Sequence, residues 1–211
     1  MMKRFYFSIA QWNSDLIFKP IRTREDVIVL LMKVIKLMDV GPSLTARPEG
    51  QYFELIVSQM SRLFFFSENK HYSIGFPFSV VLEDERVYFK TGSGVDIDSQ
   101  MTSDILSVMS SSEIFEYDDI LDFATPVSDF LFHNPGGWTV LRELLMQEDG
   151  YIRYDHDPIH ANGDMHPLHH LDVFYSSGQT FKIGLTKKSD SGHLIDALDL
   201  QTACHYLGAA R

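Results

Sequence analysis

The chain predicts an α+β fold in a single domain over residues 1–211: an antiparallel β-sheet, made of a meander plus a C-terminal hairpin, packed with helices. Three observations predict it. Short aromatic and branched runs separated by turn signals fill residues 52–90. An amphipathic helix precedes them and an acidic helical segment, about 95–149, follows. Strand signals return after Gly150 and close on a Ser177-Gly178 turn. Helices and strands that come in separate runs argue against a doubly wound parallel sheet.

Each element has a local cause. Phe5 to Phe18 is rich in aromatic and branched residues and predicts one strand or two. Thr23 can cap a helix, Glu25 and Asp26 suit its positive end, and Gly41-Pro42 stops it. Between them Val27, Leu30, Leu31, Val34, Leu37 and Met38 follow the 3.6-residue period. The meander comprises Leu63–Phe66, His71–Phe76, Phe78–Leu82 and Arg86–Lys90, with Ser67-Glu68-Asn69-Lys70 and Glu83-Asp84-Glu85 as turns. Thr91-Gly92-Ser93-Gly94 breaks it; without a following Gly-Lys-Ser/Thr it is a loop, not a phosphate cradle. Helices are predicted over Asp98–Ser110, Ile114–Phe123 and Trp138–Gln147. Strands follow at Tyr151–His156, His169–Tyr175 and Thr180–Leu185. A last helix is expected over His193–Leu207, with Leu194, Leu198, Ala203 and Leu207 inward.

Composition narrows the function classes. With 45% hydrophobic and 22% charged residues and 16 Phe, the chain can bury a core and is not a disordered tail. No apolar run is long enough to span a bilayer, which predicts a protein with no membrane association. Met1-Met2-Lys3-Arg4 resembles a signal n-region, but Gln11, Asn13 and Asp15 interrupt the apolar stretch that should follow. A lone Cys204 makes no internal disulfide and reads as a small buried hydrophobe, so a cytoplasmic, reducing setting is expected. The net charge of −11 is concentrated: residues 91–150 hold 12 acids against Arg142 alone. The flanking thirds are near neutral, so a local nucleic-acid or nucleotide surface is compatible with an acidic chain. There is no Gly-x-Ser-x-Gly elbow, which disfavours a serine hydrolase.

Five of the nine histidines lie between His156 and His170, among Arg153, Asp155, Asp157, Asp164 and Asp172. Strand alternation sorts them. Arg153, Asp155 and Asp157 share one face, and Tyr154 and His156 the other. On the next strand His170 and Asp172 share a face, while His169 faces away with Leu171. Pairing the two strands sets Arg153 and Asp155 beside His170 and Asp172, with Lys182 from the hairpin. That set suits phosphoester chemistry. His170 serves as general base or acid, Asp172 or Asp155 orients it or holds a metal, and Arg153 and Lys182 neutralise phosphate. His166-x-x-His169-His170 with Asp157 suggests a metal shell; His166, His169 and Asp157 are its candidate ligands, and mixed His/Asp donors suit Zn or Mn better than Ca. His160 has no pattern that places it. The same residues equally suit a non-catalytic module in which His, Asp and Arg form a buried hydrogen-bond network.

Arg153-Tyr154-Asp155-x-Asp157-Pro158, then His166-Pro167-x-x-His170-Leu171, then a hairpin ending Lys182-Ile183, resembles uncharacterised bacterial domain-of-unknown-function families with an R-x-D-x-D-P…H-P-x-x-H-L signature. It is distantly similar to TumE-like toxins with their Y-D…H-x-x-H pattern. The likeness covers residues 151–185 only. It implies a nucleic-acid or nucleotide substrate and an effector of a toxin–antitoxin or phage-defence locus, with a cognate protein partner.

Overall fold

The structure, a computed structural model, describes residues 2–59, 61–83, 86–111, 124–176, 179–203 and 205. Nine strands are described: β1 (Lys3–Ser8), β2 (Tyr52–Val57), β3 (Arg62–Phe66), β4 (Lys70–Gly75), β5 (Ser79–Glu83), β6 (Arg86–Lys90), β7 (Ile152–His156), β8 (His169–Ser176) and β9 (Gln179–Gly184). The helices are α1 (Gln11–Ile17), α2 (Arg24–Val40), α3 (Ser99–Ser110), α4 (Ala124–Phe130), α5 (Gly137–Met146) and α6 (Ser191–Ala197). Seven strands form one antiparallel sheet in the order β1-β2-β3-β4-β7-β8-β9, and β5 and β6 form a separate hairpin. This is the α+β architecture that the sequence predicts. No described helix is long and apolar enough to cross a membrane.

Where the local signal is strong, boundaries agree with it. Thr23 and Asp26 form a reciprocal capping box at the start of α2, satisfying two amide donors that a helix end otherwise leaves open. Asp98 accepts the Met101 amide at 2.7 Å to start α3. One sheet face packs Phe53, Leu55, Leu63, Phe65, Tyr72 and Ile74 against the apolar faces of α2, α3 and α5. The other face packs Tyr52, Ile56, Phe64 and Phe66 against Leu194 and Ile195 of α6.

Four expectations are corrected. Phe5–Phe18 is a strand followed by a helix. The alternation that buries Phe5, Phe7 and Ile9 ends there, and Asn13 and Ile17 are buried four residues apart, the spacing of helical turns. The meander does not run through to Lys90, because the place beside β4 is taken by β7, with Lys70 opposite Asp155 and Tyr72 opposite Arg153. The last helix stops at Ala197 and its C-cap is Leu198; residues 200–202 are turn and bend, and Ala203 is exposed. An additional short helix, α4, lies in the acidic third. The helix expected over Ile114–Phe123, Cys204 and Leu207 lie outside the described residues.

Candidate functional site

β7, β8 and β9 pair as their alternation predicts. Arg153 stands opposite Asp172, Asp155 opposite His170, and Asp172 opposite Lys182. Since β7 also pairs with β4, these five side chains lie on the same sheet face as Tyr72, beyond the rim of the main core. Directly opposed residues on one face have Cβ atoms about 5 Å apart, so ionic side chains there must interact.

Arg153 is the centre of the strip. Its Nε donates to Asp155 Oδ2 at 2.8 Å, Nη2 reaches Oδ2 of both Asp155 and Asp172, and Nη1 donates to the Tyr151 hydroxyl at 3.0 Å. Burial opposes the guanidinium charge, but Tyr151, Asp155 and Asp172 outweigh it and raise the Arg153 pKa. Burial pushes the Tyr151 hydroxyl up to about 12, so it stays neutral. Lys182 Nζ completes the strip, donating to Asp172 Oδ1 at 2.8 Å and to His170 Nε2 at 2.9 Å.

The contacts of His170 determine its proton arrangement. Nδ1 lies 2.8 Å from the Pro167 carbonyl, which can only accept, so Nδ1 carries the hydrogen. Nε2 then offers a lone pair, which the Lys182 ammonium fills. Nε2 lies 3.8 Å from Asp155 Oδ2 and 3.9 Å from Asp172 Oδ1. Two cations and two carboxylates balance around it. The His170 side chain is 1% exposed and that of Asp172 4%, whereas Lys182 is 35% exposed and forms the solvent side of the strip.

The loop 157–168 holds the histidine from above. Asp157 N bonds the Leu168 carbonyl at 3.0 Å, and Asn162 and His166 exchange amide–carbonyl bonds, closing the loop on itself. Pro167 lies over Gly184, where a Cβ would meet Pro167 Cγ at 3.0 Å; the missing side chain lets the loop sit on the strand end. The His166 ring meets the His170 ring edge-on, centroids 4.9 Å apart.

The sequence-predicted metal set is not brought together. His169 lies on the opposite face, where its ring stacks on His156 and its Nδ1 lies 2.9 Å from the Tyr154 hydroxyl. Asp157 and His166 approach to 3.3 Å, with His160 Nδ1 3.0 Å from Asp157, in a loop cluster outside the strip. The donors that converge are Asp155, His170 and Asp172, one atom from each lying within 4.8 Å of the others.

One participant, Tyr151, and one neighbouring cation, Lys70, whose Nζ bonds the Phe18 carbonyl, were missed. Tyr151 shares the alternation of Arg153 and Asp155, so the period of two pointed to it. Lys70 carried no such signal, because the pairing of β4 with β7 places it opposite Asp155. Burial lowers the Lys70 pKa, with Arg153 adding to the effect and Asp155 and Asp172 opposing it. No family model matches the chain, and no curated protein or solved structure is significantly similar to it, so the geometry stands as the guide to its chemistry.

Proposed function

We propose that the protein is a small phosphoesterase or nuclease-like effector acting on a nucleic acid or nucleotide, with the β7–β9 strip as its active site. The observation that carries this reading is the placement of His170, whose Nδ1 meets the Pro167 carbonyl and whose Nε2 meets Lys182, beside an Arg153 guanidinium held by two carboxylates. Arg153 and Lys182 suit the charge that builds on phosphate oxygens in the transition state. As Lys182 turns toward the phosphate, Nε2 of His170 is freed to take the proton of an attacking water. The water oxygen bonds to phosphorus, the bond to the leaving ester oxygen breaks, and that oxygen takes a proton from solvent. An effector of a toxin or phage-defence locus with a cognate protein partner, as the TumE-like resemblance implies, is the corresponding biological setting.

The burial of His170 and Asp172 favours a second reading, in which the strip is a non-catalytic network that pins the 157–168 loop. One experiment separates the two. Wild type and His170→Ala are incubated with RNA, single- and double-stranded DNA and a small phosphodiester, with and without Mn²⁺, alongside melting curves. Cleavage that falls about 10²-fold or more in the variant at matched melting temperature supports the enzyme. Absence of cleavage in every arm, with a large drop in melting temperature, supports the structural network.

A further inference from the structure

We infer that Asp155, His170 and Asp172 form a binding site for one first-row divalent cation, Zn²⁺ or Mn²⁺. The inference rests on reading the strip as a chemically active site, and it changes the part played by His170.

Four features support a cation there. The first is the donor set: one imidazole nitrogen and two carboxylates, a mixture that suits borderline and hard divalent ions. The second is spacing. His170 Nε2 lies 3.8 and 3.9 Å from the nearest oxygens of Asp155 and Asp172. Donors at about 2.0–2.2 Å from an ion stand roughly 3–3.5 Å apart, so the two imidazole–carboxylate distances close by a few tenths of an ångström, and all three donors lie within 4.8 Å of one another. The third is the support behind the donors. His170 gives its Nδ1–H to the Pro167 carbonyl, the arrangement that orients an imidazole to ligate through Nε2. Arg153 bonds Oδ2 of both aspartates and so fixes both carboxylates; on Asp172 this leaves Oδ1 toward His170, and on Asp155 it occupies the oxygen nearest His170 and leaves Oδ1. The fourth is an unmet demand: Asp155 Oδ1 is buried with no hydrogen-bond partner among the described residues.

The position already attracts a cation. Lys182 Nζ bonds to two of the three ligating residues, at 2.8 Å from Asp172 and 2.9 Å from His170. An ammonium and a divalent ion compete for these lone pairs, and Lys182, the most exposed member of the strip, can swing out toward solvent. With the ion bound, His170 Nε2 is a ligand and is no longer free to act as a base. A metal-bound water, acidified by the ion, then supplies the nucleophile, and the displaced Lys182 remains to meet phosphate.

The competition gives the test a direction that a structural role does not share. Chelator-stripped protein is titrated with ZnCl₂ and with MnCl₂ by calorimetry, and bound metal is counted after gel filtration. Wild type is expected to hold one equivalent of one of the two ions. His170→Ala and Asp172→Asn should each weaken binding by at least about 10-fold. Lys182→Met removes the competing ammonium and should bind about 10-fold more tightly than wild type. His160→Ala, in the loop cluster and with an exposed side chain, should bind as wild type does. Failure of both wild type and Lys182→Met to bind either ion overturns the site, even if the ligand variants do not fold. Binding by Lys182→Met alone also overturns it, because the ammonium is then the resident cation. Binding abolished by His160→Ala and unchanged in Lys182→Met assigns the ion to the loop instead. Metal bound without cleavage of any phosphoester refutes the phosphoesterase and leaves the site standing. Metal-independent cleavage that needs His170 does the reverse.

Discussion

The two ends of the seven-stranded sheet differ in what they mainly bury. In β2 and β3, Phe53 and Phe65 are buried on one face and Tyr52, Phe64 and Phe66 on the other, and apolar area removed from water supplies most of the stabilisation, although Glu54, paired with Arg4, and Arg62, bonded to Ser73, are buried there too. In β7 and β8 the buried groups include Asp155, His170 and Asp172, and only their partners compensate the lost hydration. Touching rings couple through the contacts and the cavity they share. In a buried charge network each deletion also leaves another charge uncompensated. The cause of the coupling, an uncompensated charge against a shared cavity, is what distinguishes the two ends.

The largest single loss is expected at the aromatic end. Phe65 is fully buried, stacked on Tyr72 at 4.5 Å and close to Phe53 at 5.8 Å. Phe65→Ala should cost about 4 kcal/mol in urea unfolding, through lost transfer energy and the cavity left behind. A loss below about 1 kcal/mol would show that β3 is not the packed centre of the sheet.

At the ionic end the effect is smaller for one member and shared between partners. Asp172→Ala leaves Arg153 with one carboxylate and Lys182 with none, and should cost about 3 kcal/mol. Lys182→Met alone should cost about 1 kcal/mol, since its ammonium reaches solvent. The double variant should cost less than the sum by roughly 1 kcal/mol or more, the signature of a shared network. Strict additivity in the same urea series would break the contrast between the two ends.

How much of this was legible in the sequence follows the same division. α2 was readable because its capping residues, its apolar period and Gly41 all lie in one continuous stretch, Thr23 to Gly41, with no partner elsewhere in the chain needed to see them. The grouping of Arg153, Asp155, His170 and Asp172 was readable because strand alternation and a short hairpin leave few other arrangements. What failed was non-local or depended on a change of period. The insertion of β7 beside β4 joins strands about eighty residues apart in the chain, and no local pattern encodes which sheet edge a late strand joins. Lys70 was missed for that reason. At Phe5–Phe18, composition suggested strand throughout, and only the change from spacing two to spacing four marks where α1 begins. The crowding of His166, His169 and His170 in sequence suggested a shared metal, but alternation sends His169 to the opposite face. The burial of His170 beneath Pro167 depends on Gly184 in a third strand, which the motif itself did not include.

The opposite face of the same strands offers the smallest and most specific test. There His71 packs edge-on to Phe66 and beside Tyr154, and its Nε2 lies 2.9 Å from the Ser67 carbonyl. That contact puts the hydrogen on Nε2 and leaves Nδ1, buried and without a partner among the described residues, as the atom that protonation would charge. Burial lowers the His71 pKa below its ordinary 6.5, and the Ser67 carbonyl only partly offsets it. The unfolded chain therefore takes up this proton first as pH falls. The contribution of the neutral ring to stability is present above pH 6.5 and is lost as pH drops through the folded pKa. One such group gives a slope of at most about 1.4 kcal/mol per pH unit. Melting temperature should decline from pH 7.5 to pH 5 in the wild type and decline less steeply in His71→Phe, which keeps an aromatic ring but cannot protonate. An unchanged slope in the variant would assign the acid sensitivity to His169, whose pKa burial also lowers, and would leave His71 as packing alone.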